Sequence, residues 1–181
     1  AKYILYYFNN IIDGIDDSWS NINKNGDVLA CHMRPDPRYA VGNILEENGI
    51  DVEYSRTTDI YESPAQKARE ANASGADYFV SIHRNSSVNP EQYSGVETLV
   101  YAKGLRSEKL AENINRELEK VGFINLGISE RPNLAVLRRT QMPAVLVEVG
   151  FINTARDNEL LDTRFYEVAN AIAQGIIQTV Y

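Results

Sequence analysis

The feature that most constrains this chain is an alternation. Short runs rich in β-branched and aromatic residues take turns with longer segments whose apolar residues recur at helical spacing. The strand-like runs are Tyr3–Phe8, Asp51–Arg56, Tyr78–His83, Val96–Tyr101, Leu134–Leu137 and Ala144–Val149. Arg38–Asn48 reads as a helix with Pro37 suited to its first turn and Gly49 as a left-handed stop, and Pro64–Ser74 ends the same way at Gly75. Ser107–Val121 carries Leu110, Ile114, Leu118 and Val121 on one stripe. Arg164–Val180 does so with Val168, Ala171, Ile172, Ile176 and Val180. Parallel neighbours need crossover connections, which such helices supply. The pattern predicts an α/β fold: a single mostly parallel twisted sheet of about six strands flanked by helices on both faces.

With 181 residues, 44% hydrophobic and 24% charged, the chain has enough material for one buried core and little for two, so residues 1–181 are expected to form a single domain. Lys and Arg number 18 against 25 Asp and Glu, a formal charge of -7, and no basic track for nucleic acid is expected. The apolar runs fall well short of the roughly 20 residues of a membrane span, so no membrane span is expected. No charged-then-apolar leader precedes the first strand, and any export signal is expected to be absent or already removed. The single cysteine, Cys31, excludes an intramolecular disulfide.

Two stretches fit neither period. Asn9–Asp27 is rich in Asn, Asp, Ser and Gly, and Arg84–Ser94 holds Pro90 among polar residues. Both read as loops after strand ends, where open α/β sheets place their sites. Of only two histidines, His83 ends the run Tyr78-Phe-Val-Ser-Ile-His83 and should face that crevice. Glu148 lies near the end of an otherwise apolar run, Pro143-Ala-Val-Leu-Val-Glu-Val-Gly-Phe151. A carboxylate buried there needs a cation, a metal or a raised pKa. A salt bridge to Arg69 or Arg138 is one solution. Metal-assisted hydrolysis, with Glu148 as general base to a bound water, is the other.

Several motifs, in order, carry a family resemblance: Tyr54-Ser-Arg-Thr-Thr-Asp59, Lys67-Ala-Arg-Glu-Ala-Asn72, Gly75-Ala-Asp-Tyr-Phe-Val-Ser-Ile-His-Arg-Asn85, Gly95-Val-Glu97, Leu134-Ala-Val-Leu-Arg138 and Pro143-Ala-Val-Leu-Val-Glu-Val-Gly-Phe-Ile-Asn153. From about residue 42 to the end, the chain resembles the zinc-dependent N-acetylmuramoyl-L-alanine amidases of bacterial cell walls and phage endolysins. The resemblance implies hydrolysis of the amide between muramic acid and L-alanine of the stem peptide, with peptidoglycan or a muropeptide as partner and one zinc ion as cofactor. It implies work outside the cytoplasm, at the wall, and leaves room for wall-binding modules outside this chain.

The resemblance makes His83 a zinc ligand and Glu148 the catalytic carboxylate. The family's remaining ligands, a histidine after the first strand and a glutamate before the first helix, fall on Asn9 and Ala30. Cys31 and His32, beside Ala30, have suitable donor atoms and are the expected substitutes, with Asp13, Asp16, Asp17 and Asp27 as further acids nearby. Asn85 and Arg138 are the expected substrate contacts, the latter because a guanidinium suits a peptide carboxylate. Arg56, Arg69 and Asn72 read as scaffold, and Trp19 as a candidate for sugar stacking. The alternative function is a catalytically inactive relative that binds muropeptide or a partner without cutting.

Overall fold

The computed structural model describes residues 2–7, 37–54 and 63–181. The element order is β1 (Lys2–Tyr7), α1 (Pro37–Glu47), β2 (Asp51–Tyr54), α2 (Pro64–Ser74), β3 (Tyr78–Asn85), β4 (Val96–Val100), α3 (Arg106–Val121), β5 (Asn125–Glu130), α4 (Ala135–Arg139), β6 (Ala144–Phe151), α5 (Ala155–Thr163) and α6 (Phe165–Val180). The strands form one sheet in the order β2-β1-β3-β6-β4-β5.

The sheet is mixed. Strands β2, β1, β3 and β6 run in one direction, and β4, paired antiparallel to β6, runs against them together with β5. The connection explains the reversal. Residues 86–95 link β3 to β4 without a helix, so the chain cannot return to the starting edge and must come back antiparallel on the far side of β6. This loop therefore arches over the C-terminal end of β6.

Alternation along the strands sorts the core into two layers. Val80, Ile82, Val96, Val100, Val145 and Val147 pack on one face against Leu45, Leu110, Ile114, Ile172 and Ile176 of α1, α3 and α6. On the other face Phe79, Leu99, Ala144 and Leu146 meet Ala71 of α2 and Leu137 of α4 in a smaller cluster. Helix α2 is closed at both ends: the Ser63 hydroxyl accepts from Gln66 N at 3.2 Å, and Gly75 takes φ 69°, the left-handed stop expected there.

Four elements depart from expectation. Leu134–Leu137, expected as a strand, starts the short helix α4 instead. Four consecutive apolar residues carry no period that tells strand from helix. Here the turn closes through Leu137 N and Arg138 N donating to Leu134 O at 3.1 and 2.9 Å, with Leu137 buried at 3% exposure. Strand β5 went unpredicted because Gly127, at φ 89°, and the exposed residues Asn125 and Leu126 mark it as an irregular edge. Helix α5 went unpredicted as well, and β3 continues through Arg84 and Asn85 into the expected loop. The Asn9–Asp27 segment lies outside the described residues.

Helices α3 and α6 approach closely at Gly175, where a Cβ would stand 2.5 Å from Ile114 Cα. Backbone cannot yield as a side-chain tip can, so Gly175→Ala should destabilise the fold by about 1–3 kcal/mol. Thermal unfolding followed by circular dichroism checks this, and an unchanged midpoint would show that the two helices separate at no cost.

Candidate active site

The register of the central ladder places the two expected site residues side by side: His83 of β3 is the Cα partner of Glu148 of β6. On the other side of β6, Glu148 is the partner of Glu97 of β4. An imidazole and two carboxylates thus occupy neighbouring positions across three strands. They lie beyond the apolar stretch of the α2/α4 face, since Ser81 and Leu146, two residues earlier in each strand, pair with each other.

A bulge follows directly. Between the pairs His83↔Glu148 and Asn85↔Phe151 the β6 strand holds one extra residue, and Gly150 adopts φ 75° there. A Cβ on Gly150 would stand 2.8 Å from Asp157 Cβ, so both conformation and space require glycine. Two buried charges fix the bulge. Arg84, 6% exposed, donates from Nη2 to Phe151 O at 2.9 Å and to Asn158 Oδ1 at 2.7 Å. Asp157, fully buried near the start of α5, accepts from Phe151 N at 2.7 Å, Gly95 N at 2.9 Å and the Ser94 hydroxyl at 2.7 Å. The strand carrying Glu148 and the start of the strand carrying Glu97 are tied to one carboxylate.

Burial pushes the Glu148 carboxyl up to about 7; Glu97 adds to the push and Arg84 opposes it. Glu148 Oε2 is buried and has no hydrogen-bond partner among the described residues. Glu97 is differently placed, since its carboxylate accepts a short bond from the Ser129 hydroxyl. For His83, burial first and the Lys67 ammonium second pull the imidazole down to about 3, so the ring is neutral at any ordinary pH. Lys67 itself is 2% exposed on the inner side of α2. Together with Ser81 and His83 it forms the polar end of a cavity of about 160 Å³, whose other walls include Leu134, Val136 and Leu146.

The salt-bridge expectation for Glu148 needs correction. Arg69 and Arg138 are both exposed, and the cation that acts on Glu148 is Arg84. Arg138 sits in the last turn of α4, the helix whose first residues wall the cavity. Asn85 turns its side chain back on the chain, Oδ1 accepting from Ser86 N at 2.8 Å. Asn72 braces the segment after α4 by donating to Arg139 O at 2.9 Å and accepting from Gln141 N at 2.8 Å, a scaffold role.

Cys31, His32, Asn9, Ala30, Arg56, Trp19 and the four loop aspartates lie outside the described residues. Among the described residues no three donors of His, Cys, Asp or Glu type converge. The groups paired across β3 and β6 suit a cation nonetheless: a neutral imidazole in register with a carboxylate oxygen that has no partner among the described residues. Arg84, Lys67 and Asp157 are the residues that sequence reasoning missed. The signal for Lys67 was its place on the same helical face as Ala71, and for Arg84 its position inside a strand with buried neighbours.

A one-sheet α/β domain that sets a histidine beside a carboxylate on adjacent strands presents a candidate acid–base site. Residues 36–178 match the family described as N-acetylmuramoyl-L-alanine amidase, and the chain belongs to that family. It is 34% identical over 138 residues to the endolysin of Bacillus phage SPP1, covering 71% of this chain and 49% of the relative. It is 36% identical over 137 residues to the sporulation-specific N-acetylmuramoyl-L-alanine amidase of Bacillus subtilis, covering 74% and 52%. The chain thus spans about half the length of these curated relatives. A solved N-acetylmuramoyl-L-alanine amidase from Clostridium difficile 630 superposes with a TM-score of 0.79 at 28% identity, over 99% of this chain and 97% of that one.

The raised pKa of Glu148 makes a prediction about stability. An unfolded glutamate ionises near 4.5 and the folded one near 7, so between those values only the unfolded state releases this proton and stability falls as pH rises. In metal-free protein, Glu148→Gln should remove a penalty of the order of 3 kcal/mol that is present at pH 8 and absent at pH 4. Denaturant titrations of both proteins at the two pH values measure it; equal stability differences at pH 4 and pH 8 would refute it.

Proposed function

We propose that this chain is the catalytic part of a peptidoglycan hydrolase that cleaves the amide between N-acetylmuramic acid and the L-alanine of the stem peptide. The observation that carries the proposal is Glu148 Oε2, buried, without a partner among the described residues, and in register with the neutral His83. Such an oxygen is costly to keep unless a water, a proton or a cation uses it.

His83 would hold one zinc ion with donors from outside the described residues, Cys31 and His32 being the proposed ones. When bound, the ion would polarise the scissile carbonyl and acidify a water. Glu148 takes the proton of the attacking water on Oε2 as the new C–O bond forms. It returns that proton to the alanine nitrogen as the C–N bond breaks, which releases a free amine and the lactyl carboxylic acid; the water's second proton then passes from that acid to solvent, leaving the carboxylate. A carboxyl that titrates near 7 suits both directions of this transfer. The bulge at Gly150, held by Arg84 and Asp157, keeps Glu148 from swinging out of line. Arg138 and Asn85 are proposed substrate contacts at the rim.

The substrate places the enzyme at the bacterial wall, outside the cytoplasm, a reading supported by the phage endolysin among its relatives. No helix among the described residues is long and apolar enough to cross a membrane. The non-cutting alternative draws no support from the named relatives, and wall-binding modules outside this chain remain compatible with the fraction of those relatives that it spans.

Digestion of purified peptidoglycan tests the proposal. New alanine N-termini should appear without new reducing sugar ends. Glu148→Gln should lower the rate by about 10²–10⁴-fold with the fold intact. New reducing ends in place of amines, or a folded Glu148→Gln variant of unchanged rate, would reject it.

A further inference from the structure

Ser81 stands two residues before His83 on β3, so both side chains leave the same face of the sheet, and Ser81 Oγ lies 2.8 Å from His83 Nε2. A nitrogen engaged at that distance is committed to a hydrogen bond and has no lone pair to offer a cation. The Ser81 hydroxyl can donate or accept, and the tautomer of the ring decides which; if His83 gives a lone pair to a metal, that lone pair must come from Nδ1 and Nε2 must carry the proton. Ser81 is itself only 2% exposed in a strand that is otherwise apolar from Tyr78 to Ile82. A serine there suits a strand less well than its β-branched neighbours, and its buried hydroxyl would be costly without a bond.

We propose that Ser81 is a positioning residue: its hydroxyl accepts Nε2–H of His83, fixes the ring in one neutral tautomer and one orientation, and assigns Nδ1 as the nitrogen that meets the metal. Which imidazole nitrogen binds a metal is set by the hydrogen bond that the other one makes. The choice lies between two neutral tautomers and involves no change of charge. The inference rests on the metal-assisted reading of the site and adds to it the donor atom and the residue that selects it.

Two readouts test it without measuring turnover. In ¹⁵N-labelled, metal-free protein carrying His32→Ala, His83 is the single imidazole, and its two-bond ¹H–¹⁵N couplings report the tautomer directly. The expected spectrum shows Nε2 protonated and Nδ1 bare. Zinc affinity by chelator competition should fall about 10–100-fold in Ser81→Ala. Ser81→Thr, which keeps the hydroxyl, should stay within a few-fold of wild type, with melting temperatures confirming that both variants fold. A protonated Nδ1 overturns the inference, and that measurement needs no substitution at Ser81. Equal zinc affinity in wild type and folded Ser81→Ala overturns it while leaving the metal reading in place. A wild-type protein that takes up no zinc overturns the metal reading and, with it, the assignment of Nδ1.

Discussion

The parallel ladder between β3 and β6 is the interaction on which the rest of this molecule depends. Its register brings His83 beside Glu148, and it lies at the centre of the sheet where helices cover both faces. A slip of one residue would send His83 and Glu148 to opposite faces and turn the apolar residues of both strands outward. The valine-rich face against α1, α3 and α6 forbids that slip, because Val80, Ile82, Val145 and Val147 are all at or below 3% exposure. The large core thereby fixes the geometry of a site on the opposite side of the sheet.

The proposed chemistry imposes a different requirement at the C-terminal end of the same ladder, where a carboxylate oxygen is buried without a partner among the described residues. The surroundings oppose such a group, as its upward pKa shows, and the fold answers with rigid support in place of compensation. Arg84 holds the carbonyl side of the bulge after Glu148, and Asp157 holds the amide side while also gripping the entry to β4. Glu148 Oε2 is the one buried side-chain nitrogen or oxygen among the described residues left without a hydrogen bond.

Much of this was legible in the sequence, and the parts that were not share a physical cause. Glu148 stood out because a carboxylate in an apolar strand is expensive, and His83 because it closes such a strand. The family motifs around both extended that reading to a reaction. Helix α4 was misread because Leu134–Leu137 offers no periodicity, and β5 was missed because an irregular edge strand lacks an apolar alternation. Arg84, Lys67 and Asp157 went unnoticed because a buried charge with partners looks, residue by residue, like a solvated one. Their partners lie far along the chain: Arg84 reaches Asn158 and Asp157 reaches Ser94. Asn9, Cys31 and His32 lie outside the described residues, so the first-strand loop contributes an expectation and no geometry.

The central claim is that His83 and Glu148 form half of a metal-assisted hydrolytic site. Elemental analysis of the purified chain, loaded with zinc and thoroughly desalted, tests it most directly. About one zinc ion per chain, lost in a folded His83→Ala variant, is the result this account predicts. A zinc content near zero, or one per chain that His83→Ala leaves unchanged, would contradict it.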